Sequence, residues 1–259
     1  MSYTQILYET DGHIGRITLN RPEKKNALTL VAMKELTQVL AAVRDNIEVY
    51  LVIVTGAGEE AFCAGADIND FLKKDTLGKR EQNDAYRGLC RAFMKVGKPV
   101  ISAVNGLALA GGCGLTLLCD FVIASEKARF GFPEIKVGIF PMMVMANLFR
   151  VIGRRKGLEL VLTGKIIDAI EAERIGLINR VVPHENLDVE VQKLASELLK
   201  LSPSTLHLGK DAFYSSSEMG ALQALDYLRE MATLMLLTED AQEGMEAFLA
   251  KRKPSWKGR

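Results

Sequence analysis

The sequence has almost no charge imbalance: 33 lysines and arginines face 32 aspartates and glutamates in 259 residues. No field of one sign is available to draw nucleic acid or an anionic membrane to the whole molecule. Histidine is scarce. His13, His184 and His207 stand far apart, with no His-x-x-x-His or mixed Cys/His spacing, so no metal site is expected. Cys63, Cys90, Cys113 and Cys119 contain no Cys-x-x-Cys pair, which argues against a disulfide framework and for reduced thiols. The first residues, "MSYTQILYETDG", hold neither a basic nor an apolar leader region, so a cytoplasmic location is expected. A membrane span is excluded by similar reasoning. The uncharged stretch 99–119 is broken by Pro99, Asn105 and four glycines, too many for a bilayer helix of about 20 residues.

Familiar catalytic signatures are missing as well. There is no Gly-x-Ser-x-Gly elbow for a serine nucleophile. In "NGLALAGGCGLTLLCD" (105–120), Gly114 is followed by Leu115-Thr116, so no P-loop lysine awaits a phosphate. Leu117 stands where the third glycine of a dinucleotide fingerprint belongs.

What is present reads as a globular α/β protein. Apolar residues make up 48% and charged residues 25%, enough for one large core or two modest domains. "ILYETDGHIGRITLN" alternates like a hairpin turning at Asp11-Gly12. "NALTLVAMKELTQVLAAVRD" places Leu30, Met33, Leu36, Val39, Leu40 and Val43 on one helical face. "VYLVIVTG" and "PVISAV" are continuous apolar runs, the mark of parallel strands buried on both faces. From residue 186 the pattern is helical. Its last segment is apolar on more than one side, so it is expected to be buried by its own domain or by a partner subunit. We expect an α/β core over 1–200 and a helical region over 201–259.

Two glycine-bearing junctions stand out. Gly106, Gly111, Gly112 and Gly114 follow a strand and open a short helix whose first N–H groups lack partners, a setting that suits a small oxygen anion. "FCAGADI" (62–68) leaves another bare backbone before Asp67, which reads as an N-cap, with a catalytic role as the alternative. Two N–H groups converging on one oxygen make an oxyanion hole. Cys113, beside the helix start, is a candidate low-pKa nucleophile without an obvious histidine partner. Glu134 is the carboxylate of choice. Phe130, Phe132, Pro133, Ile135 and Ile139 surround it, and a dry pocket would raise its pKa toward neutrality. The competing readings are a surface glutamate or one paired with Lys136 or Arg129. The closing "KRKPSWKGR" is either a solvated tail or an anion contact.

Together these segments resemble the crotonase family, the enoyl-CoA hydratase/isomerase superfamily. The resemblance runs through "LNRPEKKNALT", "AFCAGADI", "KPVISAVNGLALAGGCGL", "CDFVIASEKARFGFPEIKVGIFP", "LTGKIIDAIEAERIGLINRVVP" and "EAFLAKRKPSWKG", almost end to end. It implies a spiral of ββα units with C-terminal helices that pack homotrimers, often doubled to hexamers. It implies an acyl-CoA thioester as ligand, CoA being part of the substrate and no further cofactor being needed. By resemblance, Ala66 and Gly111 supply the oxyanion-hole N–H groups. Arg21, Lys24, Ala27, Leu28, Ala64, Asp67, Ile68 and Asn69 border the CoA, and Asn69 replaces a frequent lysine. Phe248 and Lys251 resemble residues that reach a neighbouring subunit's ligand. Pro133, Met142 and Met143 fall in the acyl pocket, where the methionines replace a glycine-rich stretch.

One departure bears on the reaction. Hydratases of the family usually hold a water between two glutamates. One matches Glu134, and the other falls at Gly114. A single carboxylate suffices to isomerise a double bond through a dienolate, whereas hydration asks for a positioned water. The missing acid tilts the expectation modestly toward isomerisation, with hydration close behind. Asp70, Glu81, Asp84 and Tyr86 lie in a segment from which a substitute could come. The opposing expectation is a CoA-thioester-binding protein that kept the fold and lost catalysis.

Overall fold

The structure, a computed structural model of the single chain, describes residues 3–259. β1 (Ile6–Asp11) and β2 (Ile14–Leu19) pair antiparallel. Asp11 still pairs with Ile14, so the turn is Gly12-His13, one residue later than expected. α1 (Leu30–Asp45) begins at Thr29, whose hydroxyl accepts the Ala32 N–H. Met33, Leu36, Val39, Leu40 and Val43 are buried along it at the anticipated spacing.

Three ββα turns follow. The first is β3 (Leu51–Gly56), β4 (Ala61–Cys63), α2 (Ile68–Leu72) and α3 (Thr76–Lys95). The second is β5 (Val100–Val104), β6 (Leu107–Leu109) and α4 (Gly111–Thr116). The third is β7 (Phe121–Ser125), β8 (Arg129–Gly131), a 3-10 turn at Pro133–Val137, α5 (Met142–Val151) and α6 (Arg154–Thr163). β9 (Ile166–Asp168), α7 (Ala169–Arg174), β10 (Arg180–Val182) and α8 (Leu187–Leu198) complete the core. α9 (Pro203–Ser216), α10 (Ala221–Leu236) and α11 (Glu239–Leu249) close the chain.

Each ββα turn sends its first strand to one sheet and its second to another. The larger sheet runs β1-β2-β3-β5-β7-β10, parallel from β2 onward, and the smaller runs β4-β6-β8-β9. Because side chains alternate along a strand, β3 and β5 feed two cores. Val52, Val54, Val100 and Val104 point toward α1 and α3. Leu51, Ile53, Ile101 and Ala103 pack under α8 against Val191 and Ala195. The continuous apolar runs are thereby explained: both faces of the larger sheet are covered.

At the C-terminal end two alternatives left open by the sequence are narrowed. α10 is not buried by its own chain, since Leu222, Leu225 and Leu236 are 59–80% exposed, which leaves a partner subunit as the expected cover. Nor is the basic tail a loosely solvated one. Arg252 pairs with Glu243, Lys257 and Arg259 pair with Glu239, and the Lys257 and Gly258 N–H groups donate to the buried Asp240. Those cations neutralise the protein's own carboxylates. Among the described residues no helix is long and apolar enough to cross a membrane, and no cluster of ligating side chains could hold a metal.

Candidate active site

The turn from β4 into α2 is built around Gly65, at φ +98°. A Cβ there would lie 2.7 Å from Ala110 Cβ and 2.9 Å from Leu109 O, so only glycine fits both the dihedral and the space. Leu28 N–H donates to Gly65 O at 2.7 Å, and Asp67 N–H to Leu28 O at 2.9 Å. The exposed Ala66 between them keeps its own N–H out of that exchange.

The turn from β6 into α4 is strained. Ala110 sits at φ 52°, ψ −127°, a region that residues with a Cβ rarely occupy. Ala110 N–H donates to Gly131 O, and Ala110 O accepts the Gly114 N–H, which fixes this peptide on both sides. Gly111 begins α4 immediately afterwards. The Cβ direction of Gly111 is 3.9 Å from Ala66 N, from Leu28 Cδ1 and from Tyr86 Cε2. Among the described residues neither Ala66 N–H nor Gly111 N–H has an acceptor. Two donors without an acceptor therefore lie at two neighbouring strand–helix junctions.

Glu134 lies half-buried on the 3-10 turn, with Oε2 buried and unpartnered. Burial pushes its carboxyl above the ordinary glutamate value. Neither competing partner engages it: Arg129 donates to the carbonyls of Glu126, Lys127 and Ala128, and Lys136 is exposed. The expected apolar enclosure is only partly present. Phe130 and Phe132 belong to the main core, whereas Ile135 and Ile139 are 36% and 43% exposed.

Tyr86, on the inward face of α3, is the polar side chain closest to the glycine stretch. A Cβ at Gly114 would overlap Tyr86 Oη and lie 3.6 Å from Cζ and 3.0 Å from Val144 Cγ2. Tyr86 Oη is buried without a hydrogen-bond partner of good geometry, although the weakly accepting Cys90 sulfur one turn along interacts with it. Burial raises the phenol well above its ordinary value, and the thiols of Cys90, Cys113 and Cys63 and the charge of Glu134 add to the rise. The three acids singled out in this segment are engaged elsewhere: Asp70 with Lys74, Glu81 with Lys34, Asp84 with Arg87. The nucleophile reading of Cys113 is corrected. Its thiol is fully buried and pushed up to about 12 by desolvation, so it holds its proton.

The remaining candidates lie on separate segments. Arg21 reaches Asp67 Oδ2 at 3.1 Å and donates to Ala27 O at 2.8 Å, so its guanidinium is already committed. Asp67 accepts the N–H groups of Asn69 and Asp70 and is the N-cap of α2. Lys24, Ile68 and Asn69 are exposed near it, and Ala64 is half-buried. Met142 and Met143 are exposed, and Val144 is the residue of that segment that approaches Gly114. Phe248 and Lys251 lie at the exposed end of α11, which packs on α9 and α10.

A family model described as enoyl-CoA hydratase/isomerase matches residues 9–259. The chain belongs to this family. A probable enoyl-CoA hydratase of Rhizobium meliloti (strain 1021) is 41% identical over 260 residues, spanning 100% of both chains. The short-chain-enoyl-CoA hydratase of Clostridium acetobutylicum is 36% identical, over 98% of this chain and 97% of its own. The crystal structure of an enoyl-CoA hydratase from Bacillus anthracis superposes with a TM-score of 0.94 at 33% identity, covering 99% of this chain and 100% of that one. Within the enoyl-CoA hydratase/isomerase family, the ββα spiral accounts for the paired junctions: each turn ends a strand of the smaller sheet beside a helix start.

Proposed function

We propose that this protein carries out proton-transfer chemistry on an acyl-CoA thioester, hydrating the double bond of a 2-enoyl-CoA. The observation that carries the reading is the pair of free N–H groups on Ala66 and Gly111, with the ring of Tyr86 beside Gly111 and the unpartnered Glu134 carboxylate acting electrostatically on its phenol. The thioester oxygen accepts both N–H groups, each worth about 3 kcal/mol as negative charge develops there. Glu134 takes a proton from water while the water oxygen bonds to C3. The π pair moves onto the thioester oxygen, and Glu134 then returns the proton to C2. CoA is part of the substrate, and the exposed Lys24, Ile68 and Asn69, with the half-buried Ala64 and Asp67, would border it. Pro133, Met142 and Met143 would adapt the acyl pocket. Arg21 acts by holding Asp67 rather than by meeting a phosphate.

Isomerisation is the second reading, favoured by one feature: where the family resemblance implies a second glutamate, position 114 is glycine. The exposed apolar face of α10 supports self-association as a trimer or dimer of trimers, which would bring Phe248 and Lys251 to a neighbour's ligand.

The test is turnover of 2-enoyl-CoA and 3-enoyl-CoA, followed by thioester absorbance and product analysis. Glu134→Gln is expected to lose at least about 10³-fold in kcat with CoA binding retained. Full turnover in that variant would remove Glu134 from the mechanism. Binding without turnover by the unmodified protein would instead favour a ligand-binding member that lost catalysis.

A further inference from the structure

We infer that the Tyr86 hydroxyl is the second partner of the reacting water, standing opposite Glu134 in the space a side chain at 114 would otherwise fill. The inference rests on the hydratase reading above and adds a residue to it.

Four observations carry it. A Cβ on residue 114 would overlap Tyr86 Oη, so the phenol oxygen occupies the room that glycine leaves open. Tyr86 is 9% exposed, and its hydroxyl lacks a hydrogen-bond partner of good geometry. Glu134 Oε2 is buried and orphaned as well, and its charge is felt at the Tyr86 phenol, so each oxygen has a hydrogen bond still to make. The ring edge lies 3.9 Å from the Cβ direction of Gly111, which ties the phenol to the place where the thioester oxygen docks. Asp70, Glu81 and Asp84 each face a cation of their own and leave Tyr86 as the candidate.

A water that attacks carbon needs one acceptor for the proton it loses and another to fix its orientation. Glu134 is the first. The phenol oxygen accepts the second O–H through a lone pair and keeps its own proton. Because burial holds the phenol neutral, one titrating group remains at the reaction centre. The nucleophile is positioned by a neutral acceptor in place of a second carboxylate. Proton removal from C2 of a saturated acyl-CoA uses Glu134 and the two N–H groups but no water, so it does not require Tyr86.

Tyr86→Phe keeps the ring and removes only Oη. Expected are a fall of about 10²-fold in kcat for crotonyl-CoA hydration, a KM within about threefold, and near-normal exchange of the C2 protons of butyryl-CoA with deuterium oxide. Gly114→Ala is expected to match that loss, because its methyl displaces the hydroxyl. In the Tyr86→Phe background the same change should cost little further, a non-additive cycle. Hydration in Tyr86→Phe within about twofold of the unmodified protein overturns the inference. A parallel fall in exchange also overturns it, since the ring would then be serving structure alone. If the unmodified protein neither hydrates nor exchanges, the reading beneath it fails first and takes the inference with it.

Discussion

Arg21 and Asp67 meet at 3.1 Å across the two loops that flank Ala66. Their side chains are 18% and 13% exposed, so the pair is shielded enough to resist screening. Removing the guanidinium leaves Asp67 with its backbone caps only. Arg21→Met is expected to lose about 1–3 kcal/mol of stability by denaturant unfolding. A double-mutant cycle with Asp67→Asn should show coupling of about 0.5–3 kcal/mol. Zero coupling would mean that the pair does not join the loops.

Gly65→Ala tests the first junction. The positive φ alone costs a residue with a Cβ about 1–3 kcal/mol, and the Ala110 and Leu109 contacts add to it. Displacing the Ala66 donor is expected to lower kcat by about 10²-fold, in line with loss of one oxyanion donor. Far-UV circular dichroism should stay unchanged. Normal turnover would argue that Ala66 N–H is not a donor to substrate.

The raised carboxyl of Glu134 sets a pH signature. As a base it must be ionised, so kcat/KM should fall as pH drops through a value above the ordinary 4.5. Its stability effect has the opposite sense. A carboxyl raised on folding contributes stability below 4.5, and that contribution is lost as pH rises through the folded pKa. Glu134→Gln is therefore expected to melt higher than the unmodified protein at pH 7 and nearly equally at pH 4. An unchanged melting difference between those pH values would contradict the assignment.

Asp240 carries the reverse sign. Burial alone would raise its carboxyl, but hydrogen bonds from the Lys257 N–H, the Ser202 and Ser204 hydroxyls and the Gly258 N–H outweigh it, and the net shift is down. This stabilisation is present above 3.8 and is lost as pH falls through the lower folded value. Asp240→Asn should lose about 1–3 kcal/mol at pH 7, with the gap narrowing below about pH 4. Trp256, the sole tryptophan, donates to Lys200 O and reports tail release by its fluorescence.

Light scattering checks the exposed face of α10. A mass of three or six chains is expected at micromolar concentration, and Leu225→Glu should reduce it. A monomer would leave the apolar face without an occupant.

Within the larger sheet β3 and β5 were readable as continuous apolar runs and β1–β2 as an alternating hairpin, while the three-residue β10 was not. α1 was readable because six residues repeat at helical spacing. The smaller sheet was illegible: β4, β6, β8 and β9 are three residues each, too short for any alternation to register. Of the glycine stretch, only part of the purpose could be read. Gly106 and Gly112 back against the chain's own carbonyls at Glu60 and Cys63, a packing demand that no local pattern discloses. Tyr86 was within reach but not singled out. Gln82, Tyr86, Leu89 and Phe93 recur on one side of α3, which places the phenol inward, yet its approach to residue 114 depends on two distant segments meeting.

Residues 86 and 114 exclude each other's bulk, and that mutual exclusion restricts how the site can change by descent. A carboxylate cannot enter at 114 while the phenol stands, and a smaller residue at 86 leaves a void until 114 is filled. Either arrangement is separated from the other by an intermediate that is overcrowded or hollow. The two positions are thus expected to change as a pair, and a survey of lineages should find them exchanged together.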